Sequence, residues 1–266
     1  MNILITGVSG FLGSSLAIVW RAEGHTVSGS SRRLEDPPPS LVLARQDIVI
    51  HCAHDFSPDA EQRNREGTLN MFEAAKNAGA ARQIYVSSYS ARPDSPSRYG
   101  ATKYAIEQDI LARGGVIVRP GLVAGPGGMF AKLARDVQKR SFTPLVYPDQ
   151  KSVALIGLPD LLSAFTALLE PTDRREWNLF SAPLISSRDF VQAVWRSSGR
   201  TGRILSVPPW LASAALRVAN PALRDSLRAQ LANQTPVHHS DLLALVPNPA
   251  GAIAAVEAGA KPGAKE

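Results

Sequence analysis

The sequence predicts an α/β protein built on a doubly wound parallel sheet, with a smaller lobe formed by the second half of the chain. Two observations support this fold class. Short apolar runs rich in β-branched residues alternate with helical patterns through the first half of the chain, which is typical of a parallel sheet covered by helices on both faces. The first apolar run is followed at once by a glycine-rich turn and a helix, an arrangement typical of the first unit of such a fold.

The glycine-rich turn lies between a predicted strand at residues 2–5 and a predicted helix at residues 11–23, which ends at Gly24. Glycine spacing alone is also compatible with an ordinary tight turn. Bare backbone at a turn of this kind can approach a pyrophosphate, and the N-terminus of the following helix offers unpaired N–H groups and a positive dipole end. The turn therefore predicts a dinucleotide phosphate site, formed by Gly7, Gly10, Phe11, Leu12 and Gly13.

The composition indicates a soluble cytoplasmic protein. The chain has 266 residues, of which 44% are apolar and 20% charged, an ordinary globular composition. It contains no apolar run long enough to span a membrane and begins directly with a strand rather than a signal peptide. The single cysteine, Cys52, excludes an internal disulfide. The net charge is +6, but the basic residues are scattered, so neither nucleic acid nor membrane is predicted as a partner.

The end of the second predicted strand, at residues 25–30, bears on cofactor choice. An acidic residue about twenty positions beyond the glycines would bind the ribose 2′-hydroxyl of NAD. This chain has Ser31 there, followed by Arg32 and Arg33, and a guanidinium group matches a 2′-phosphate. The stretch predicts NADP(H) in preference to NAD(H), although an arginine pair is also common in solvated loops.

The following stretch, residues 34–46, contains three consecutive prolines and a brief apolar run at 41–43, which leaves room for little more than one strand. His51, Cys52, His54 and Asp55 come soon after it. Neighbours on a strand point to opposite faces and no second ligand pair is evident, so no metal site is predicted. The remaining elements predicted in the first half are a strand at 47–53, a helix at 57–79, a strand at 83–88, a helix at 99–112 and a strand at 115–119.

Tyr99 and Lys103 lie four residues apart, on one face of a predicted helix that follows a predicted strand. A neighbouring cation favours a phenolate and is expected to lower the pKa of the tyrosine towards working pH. Such a phenol can give a proton to a carbonyl oxygen or remove one from an alcohol. The pair therefore predicts acid–base chemistry on a carbonyl or alcohol.

Four motifs occur in the order found in the extended, epimerase-like branch of the short-chain dehydrogenase/reductase superfamily, which the chain resembles over residues 1–207. They are the Thr-Gly-x-x-Gly-Phe-Leu-Gly turn, the helix stretch Asn64-Arg-Glu-Gly-Thr-Leu-Asn70, the Tyr99–Lys103 pair and a Gly/Pro-rich loop at 120–128. The resemblance implies a Rossmann-type fold, Tyr99 as acid/base and Lys103 as its partner. It also implies that Ala53 packs on the cofactor, that Pro120, Gly121, Leu122 and Val123 pass the nicotinamide, and that two long helices form a homodimer.

The resemblance further implies a serine or threonine that hydrogen-bonds the reacting oxygen. Its usual place falls on Tyr89, with Ser88 and Ser90 on either side. Ser88 could turn into the site, Tyr89 could donate the hydrogen bond, or the site could depart from the triad. We predict Ser88 as the third catalytic group.

The second half of the chain departs from regular alternation. It predicts helices at 129–140 and 159–169, strands at 152–156, 176–180 and 203–207, and mainly helical structure from 208 to 256. The resemblance implies that the whole chain forms one NAD(P)-binding domain whose substrate lobe comes mainly from residues 124–150 and 175–257. Residues 258–266 have the composition of a disordered tail.

The sequence as a whole predicts an NADP-dependent oxidoreductase that acts on a small, rather apolar ketone, aldehyde or alcohol. Two alternatives stay open at this point. One is a sugar-nucleotide epimerase or reductase, and the other is a protein that binds the dinucleotide as a sensor without turning it over. An intact Tyr99 and Lys103 favour an enzyme over a sensor.

Overall fold

The computed structural model describes residues 1–30, Leu34, Asp36, 46–57, 59–146, 152–215 and 239–261. Ser31, Arg32, Arg33 and the apolar run at 41–43 therefore lie outside the described residues. The chain divides into two compact units. The first comprises Met1–Pro120 and Leu162–Leu179, and the second comprises Gly121–Leu161 and Phe180–Glu266.

The described residues form twelve strands and nine helices. In chain order, the strands are β1 (Asn2–Thr6), β2 (Thr26–Ser30), β3 (Ile48–His51), β4 (Arg82–Val86), β5 (Val116–Pro120), β6 (Leu122–Ala124), β7 (Phe142–Val146), β8 (Ser152–Val153), β9 (Leu155–Gly157), β10 (Glu176–Leu179), β11 (Ile185–Ser186) and β12 (Arg203–Val207). The helices are α1 (Phe11–Ala22), α2 (Glu61–Asn77), α3 (Arg98–Ala112), α4 (Gly128–Gln138), α5 (Leu158–Ala167), α6 (Ser187–Ser197), α7 (Pro209–Ala215), α8 (Leu242–Leu245) and α9 (Ala252–Gly259).

The first unit is built on a parallel sheet of six described strands in the order β10-β5-β4-β3-β1-β2. The strand order reverses between β3 and β1, which leaves a crevice at the carboxyl ends of these two strands, where ligands bind in open α/β sheets. The central strands β1, β3 and β4 each contain an apolar run, in which Leu4, Val49 and Ile84 are fully buried. Strands of this type need cover on both faces. The predicted doubly wound parallel sheet is confirmed.

Two helices that follow the central strands are tied to each other at the surface. Arg65 of α2 forms an ion pair with Asp109 of α3 at 2.7 Å, and Arg113, directly after α3, pairs with Glu73 of α2 at 2.8 Å. The pairs fix α3, the helix that carries Tyr99 and Lys103, alongside α2.

A buried ion pair fastens α3 to the sheet. Both oxygens of Glu107, on α3, accept hydrogen bonds from Arg119 of β5, at 2.8 and 2.7 Å. The same guanidinium reaches Glu176 of β10 at 2.7 Å. Burial raises the pKa of Glu107, and the hydrogen bonds from Arg119 oppose that shift.

The structure corrects two predicted boundaries in this unit. Helix α2 begins at Glu61 rather than at residue 57, because Asp59 has a positive φ of 59°, which a helix cannot contain. Glu176–Leu179, predicted to lie in the substrate lobe, pairs in parallel with β5 as an edge strand of the main sheet.

In its described residues, the second unit contains three small strand pairs. Strand β6 pairs in parallel with β9, β7 pairs in parallel with β12, and β8 pairs antiparallel with β11. The single strand predicted at 152–156 is thus two short strands with different partners. The core of the unit is aromatic and aliphatic, including Phe130, Phe190, Val194 and Trp195.

The C-terminal part of the second unit is described only in sections. Helices α7, α8 and α9 lie within the region predicted to be mainly helical. Helix α9 continues to Gly259, so the predicted disordered tail does not begin at 258, and residues 262–266 lie outside the described residues. Within the described ranges, no helix combines the length and apolar character needed to cross a membrane.

Candidate active site

The glycine turn lies at the carboxyl ends of β1 and β3. Gly7 has a positive φ of 68°, and its N–H donates to the carbonyl of Ser30 at 2.8 Å. A Cβ on Gly7 would come within 2.8 Å of the Ala53 Cα. The N–H of Ala53 donates to the Thr6 hydroxyl at 3.2 Å. The structure therefore brings Ala53 against the turn, beside the point where the strand order reverses.

The other two glycines set where helix α1 begins. The N–H of Gly10 donates to the carbonyl of Gly7 at 2.9 Å. A Cβ on Gly13 would lie 2.4 Å from that same carbonyl oxygen. Sequence reasoning missed Gly29, which faces the Val8 side chain so closely that a Cβ would meet it at 2.4 Å. Only contacts between distant segments reveal that role.

The turn fits the pyrophosphate of a dinucleotide. Helix α1 has Gly10 at its N-cap, without a side-chain hydrogen bond to the cap and without an acidic residue in its first turn. The N–H groups of the first turn of a helix have no intrahelical partner and favour an anion. The backbone at Phe11, Leu12 and Gly13 would hold the phosphates.

Helix α3, which carries Tyr99 and Lys103, begins near the segment that follows β4. The Ser97 hydroxyl caps the helix by accepting a hydrogen bond from the Gly100 N–H at 3.0 Å. A Cβ on Gly100 would come within 2.3 Å of the Ser90 carbonyl oxygen. Gly100 therefore allows the first turn of α3, with Tyr99, to approach the segment that carries Ser88.

Lys103 is buried below this turn and is only 3% exposed. Its ammonium donates a hydrogen bond to the Val86 carbonyl at 2.8 Å and lies 4.7 Å from the centre of the Tyr85 ring. It is 5.9 Å from the centre of the Tyr99 ring. Burial lowers the pKa of Lys103 to about 8, while Cys52 and Glu107 act in the opposite direction.

The pKa of Tyr99 is shifted in the direction opposite to the one predicted from the sequence. We predicted that Lys103 would lower it, but burial raises the pKa of Tyr99, and a hydrogen bond from Ser88 offsets the rise only in part. Desolvation disfavours the phenolate more strongly than the hydrogen bond favours it. The phenol is therefore protonated at neutral pH.

Ser88, one of the three candidates for the third group, lies near Tyr99, and its hydroxyl lowers the pKa of that phenol by hydrogen bonding. The Ser88 hydroxyl accepts a hydrogen bond from the Ser90 N–H at 3.2 Å, and the two hydroxyls are 3.0 Å apart. The N–H of Ala91 donates to the Ser88 carbonyl at 2.9 Å. Strand β4 ends at Val86, and the turn beyond it directs Ser88 towards Tyr99.

Two aromatic residues that sequence reasoning did not assign to the site contact Tyr99. The His54 ring is 5.0 Å from the Tyr99 ring, at an interplanar angle of 89°. Phe56 stacks on Tyr99 at 5.8 Å and 19°, although Phe56 is 76% exposed. Both residues follow Ala53 closely, just after a central strand, and this position in the sequence could have indicated that they line the site.

The two histidines considered for a metal have separate surroundings. His51 is buried in β3, and its Nε2 bonds to the Gln83 amide oxygen at 2.9 Å. His54 packs on Tyr99. Burial lowers the pKa of His51 to about 4 and that of His54 to about 3, so both imidazoles are neutral.

Residues 120–123, expected to pass the nicotinamide, fall in two units. Pro120 ends β5, and its carbonyl accepts a hydrogen bond from the Tyr89 N–H at 3.0 Å, which places it beside the Ser88 segment. Gly121, Leu122 and Val123 belong to the second unit. Leu122 and Val123 are part of β6, so the predicted loop is partly a strand. Their contact with a cofactor stays a prediction.

The fold and the glycine turn define an NAD(P)-binding domain of the Rossmann type. Comparison with known proteins agrees: the model of the NAD dependent epimerase/dehydratase family matches residues 3–179. The chain belongs to this family. The resemblance to the extended short-chain dehydrogenases and reductases is thereby confirmed.

Three similar proteins illustrate the range of the family. Ceramide reductase from Caulobacter vibrioides is 43% identical over 190 residues, which cover 62% of this chain and 60% of the relative. The crystal structure of gox2253 has a TM-score of 0.76 and 23% identity, covering 97% of this chain and 96% of that one. The dTDP-4-dehydrorhamnose reductase of Bacillus anthracis, solved in complex with NADP, has a TM-score of 0.70 and 21% identity, covering 96% and 97%. At these identities the two solved structures show the fold alone.

The match to the curated relatives is partial. The chain spans 60% of the length of ceramide reductase and 59% of the length of a Streptomyces 3-diazoavenalumate denitrifying reductase, to which it is 26% identical over 180 residues.

Proposed function

We propose that the protein is an NADP(H)-dependent oxidoreductase that reduces a small apolar ketone or aldehyde, or oxidises the corresponding alcohol. The observation that carries this proposal is the convergence of Tyr99, Ser88 and Lys103 at the carboxyl edge of the sheet, in the same unit as the glycine turn. Such a set of groups can protonate a carbonyl oxygen and stabilise the charge that develops on it.

Each side chain has a defined part in the reduction. When bound, the dinucleotide exchanges a hydride with the substrate carbon. The Tyr99 phenol donates its proton to the carbonyl oxygen, and the raised pKa of Tyr99 keeps that proton available at neutral pH. The Ser88 hydroxyl donates a hydrogen bond to the same oxygen. The buried Lys103 ammonium favours the phenolate that remains.

The preference for NADP(H) rests on the sequence Ser31-Arg32-Arg33. An arginine can bind a 2′-phosphate through paired N–H groups, whereas the acidic residue that would bind the NAD ribose is missing at this place.

The proposal of an apolar substrate rests on Phe56. Within the described ranges of the first unit, Phe56 is the exposed large apolar side chain that stacks on Tyr99. An apolar group next to the reacting carbonyl would cover the Phe56 ring. Removal of both apolar surfaces from water would then stabilise the bound substrate. The 43% identical relative is called a ceramide reductase, and a ceramide is a lipid, which supports the same substrate character.

A second candidate function is a sugar-nucleotide epimerase or reductase. The name of the matching family and the similarity to dTDP-4-dehydrorhamnose reductase favour it. An epimerase keeps its cofactor through the catalytic cycle, whereas a reductase exchanges it. A purified protein that contains tightly retained NAD would support the epimerase.

The proposed function is tested by fluorescence titration with NADPH and NADH, on the wild type and on Arg32→Ala, followed by turnover with apolar ketones. We expect NADPH to bind more tightly than NADH, and we expect Arg32→Ala to weaken NADPH alone. Equal binding of both nucleotides would contradict the NADP preference. Turnover of a nucleotide sugar, without turnover of any ketone, would contradict the proposal and support the sugar-nucleotide epimerase or reductase.

A further inference from the structure

The loop between β3 and α2 contributes a side chain to the site that the family motifs do not include. We propose that His54 is a positioning residue, whose ring contact with Tyr99 holds the phenol in line with Ser88. The consequence for turnover rests on the proposed function, whereas the positioning of the phenol does not.

The backbone on both sides of His54 is fixed. Before it, the Ala53 N–H donates to the Thr6 hydroxyl at 3.2 Å. After it, the Asp55 N–H donates to the side-chain oxygen of Asn64 at 2.8 Å, and the Asn64 amide donates to the Asp55 carbonyl at 2.8 Å. Asn64 is only 2% exposed, on the buried face of α2. Groups held in this way present their side chains in one orientation.

The contact itself joins two rings from distant segments. The His54 and Tyr99 ring centres are 5.0 Å apart at 89°, the edge-to-face arrangement that aromatic pairs prefer. Ser88 acts on the hydroxyl of the phenol, whose pKa it lowers by hydrogen bonding, while His54 contacts the ring. Phe56 packs against both rings, at 4.8 Å from His54 and 5.8 Å from Tyr99.

The surroundings of His54 keep its imidazole uncharged. Burial, followed by the positive charge of Lys103, lowers the pKa of His54 to about 3, against a smaller opposing effect of Asp55. The Asp55 carboxylate is engaged elsewhere, since it accepts hydrogen bonds from Arg63 at 3.0 Å and from the Ser57 N–H at 2.8 Å. The imidazole therefore adds no second positive charge beside Lys103 and leaves the proton chemistry to Tyr99.

The inference is tested first with two substitutions and a control. His54→Ala removes the ring contact, His54→Phe keeps a ring without titratable nitrogens, and His239→Ala changes an exposed histidine in the second unit. Because a small misplacement of a reacting group can lower turnover about 100-fold, we expect His54→Ala to lower kcat by about 10- to 100-fold. We expect its KM and NADPH affinity to stay within about threefold of the wild type, and we expect His54→Phe to recover most of kcat.

The contradicting results are equally specific. If His54→Phe is as slow as His54→Ala while both bind NADPH normally, the imidazole acts by its nitrogens and the positioning role is wrong. If His54→Ala turns over like the wild type and like His239→Ala, His54 has no part in the reaction.

A second measurement does not depend on turnover. The five tyrosines are labelled with ¹³C at Cζ, the Tyr99 signal is assigned by its loss in Tyr99→Phe, and its titration is followed by NMR. Removing the imidazole admits water to the Tyr99 ring, so we expect the pKa of Tyr99 to fall in His54→Ala and to stay high in His54→Phe. An unchanged Tyr99 titration in His54→Ala would overturn the proposal, even if no substrate were turned over.

Discussion

Gly13 lies so close to Gly7 that a Cβ on Gly13 would come within 2.4 Å of the Gly7 carbonyl oxygen. That carbonyl also accepts the hydrogen bond from the Gly10 N–H, at 2.9 Å. The contact seats the first turn of α1 directly on the end of β1. The N–H groups proposed to bind the pyrophosphate can therefore occupy this position only because Gly13 has no side chain.

Gly13→Ala is expected to abolish dinucleotide binding, because the added methyl group forces α1 away from the turn. The carbonyl that it meets is backbone and cannot move aside as a flexible side chain would. Binding is measured by NADPH fluorescence titration, with a thermal melt of each variant. The control is Gly251→Ala, where φ is −64° and a Cβ meets nothing within 4 Å. Normal NADPH binding by Gly13→Ala would contradict the proposed role of the turn.

Lys103 is expected to make stability depend on pH. Burial lowers its pKa from 10.5 to about 8, so between these two values the unfolded chain binds more protons than the folded chain. The free energy of unfolding contributed by this group therefore rises with pH through that window. Below the window the buried charge costs about 3 kcal/mol, at 1.36 kcal/mol for each pKa unit.

Lys103→Met removes this buried charge. The stability that the variant gains over the wild type is expected to be larger at pH 7 than at pH 10, by about 2–3 kcal/mol. The hydrogen bond to the Val86 carbonyl is lost at both pH values and does not alter this difference. Urea denaturation at the two pH values measures it, with the exposed Lys132→Met as control. The same stability difference at both pH values would contradict the burial argument.

The ion pair between Arg119 and Glu107 is expected to be critical for stability. Arg119→Met leaves the carboxylate of Glu107, whose side chain is fully buried, without its cation. Removing one member of a buried ion pair costs about 3–5 kcal/mol. Arg98→Met, which breaks a solvent-exposed pair with Asp59, should change stability little. Denaturant unfolding of both variants compares them, and equal effects would show that the buried pair contributes no more than the exposed one.

The parts of the fold that could be predicted from the sequence are those determined by residues that are neighbours along the chain. The apolar strand at residues 2–5 and the glycine turn are local patterns. The placement of Tyr99 and Lys103 on one helix follows from a spacing of four residues. Packing in the folded protein shifts the ends of these elements by a few residues but does not turn a predicted strand into a helix or a helix into a strand.

The parts that sequence reasoning missed depend on contacts between distant segments. His54 meets Tyr99 across 45 positions of chain, and Glu176–Leu179 was placed in the lobe because its pairing with β5 is not visible in its own residues. The pKa of Tyr99 was predicted in the wrong direction, because a spacing shows a neighbouring cation but not the burial that outweighs it.

The most direct test of the proposed chemistry is the rate of NADPH oxidation, followed by absorbance, with a panel of apolar ketones. The wild type is compared with Tyr99→Phe and with Tyr104→Phe, a half-buried tyrosine on the same helix that serves as control. Because an acid/base group contributes about 10²- to 10⁴-fold, we expect Tyr99→Phe to be at least about 100-fold slower while it binds NADPH like the wild type, and Tyr104→Phe to be unaffected. Wild-type rates in Tyr99→Phe would contradict the assignment of Tyr99 as the acid of this reaction.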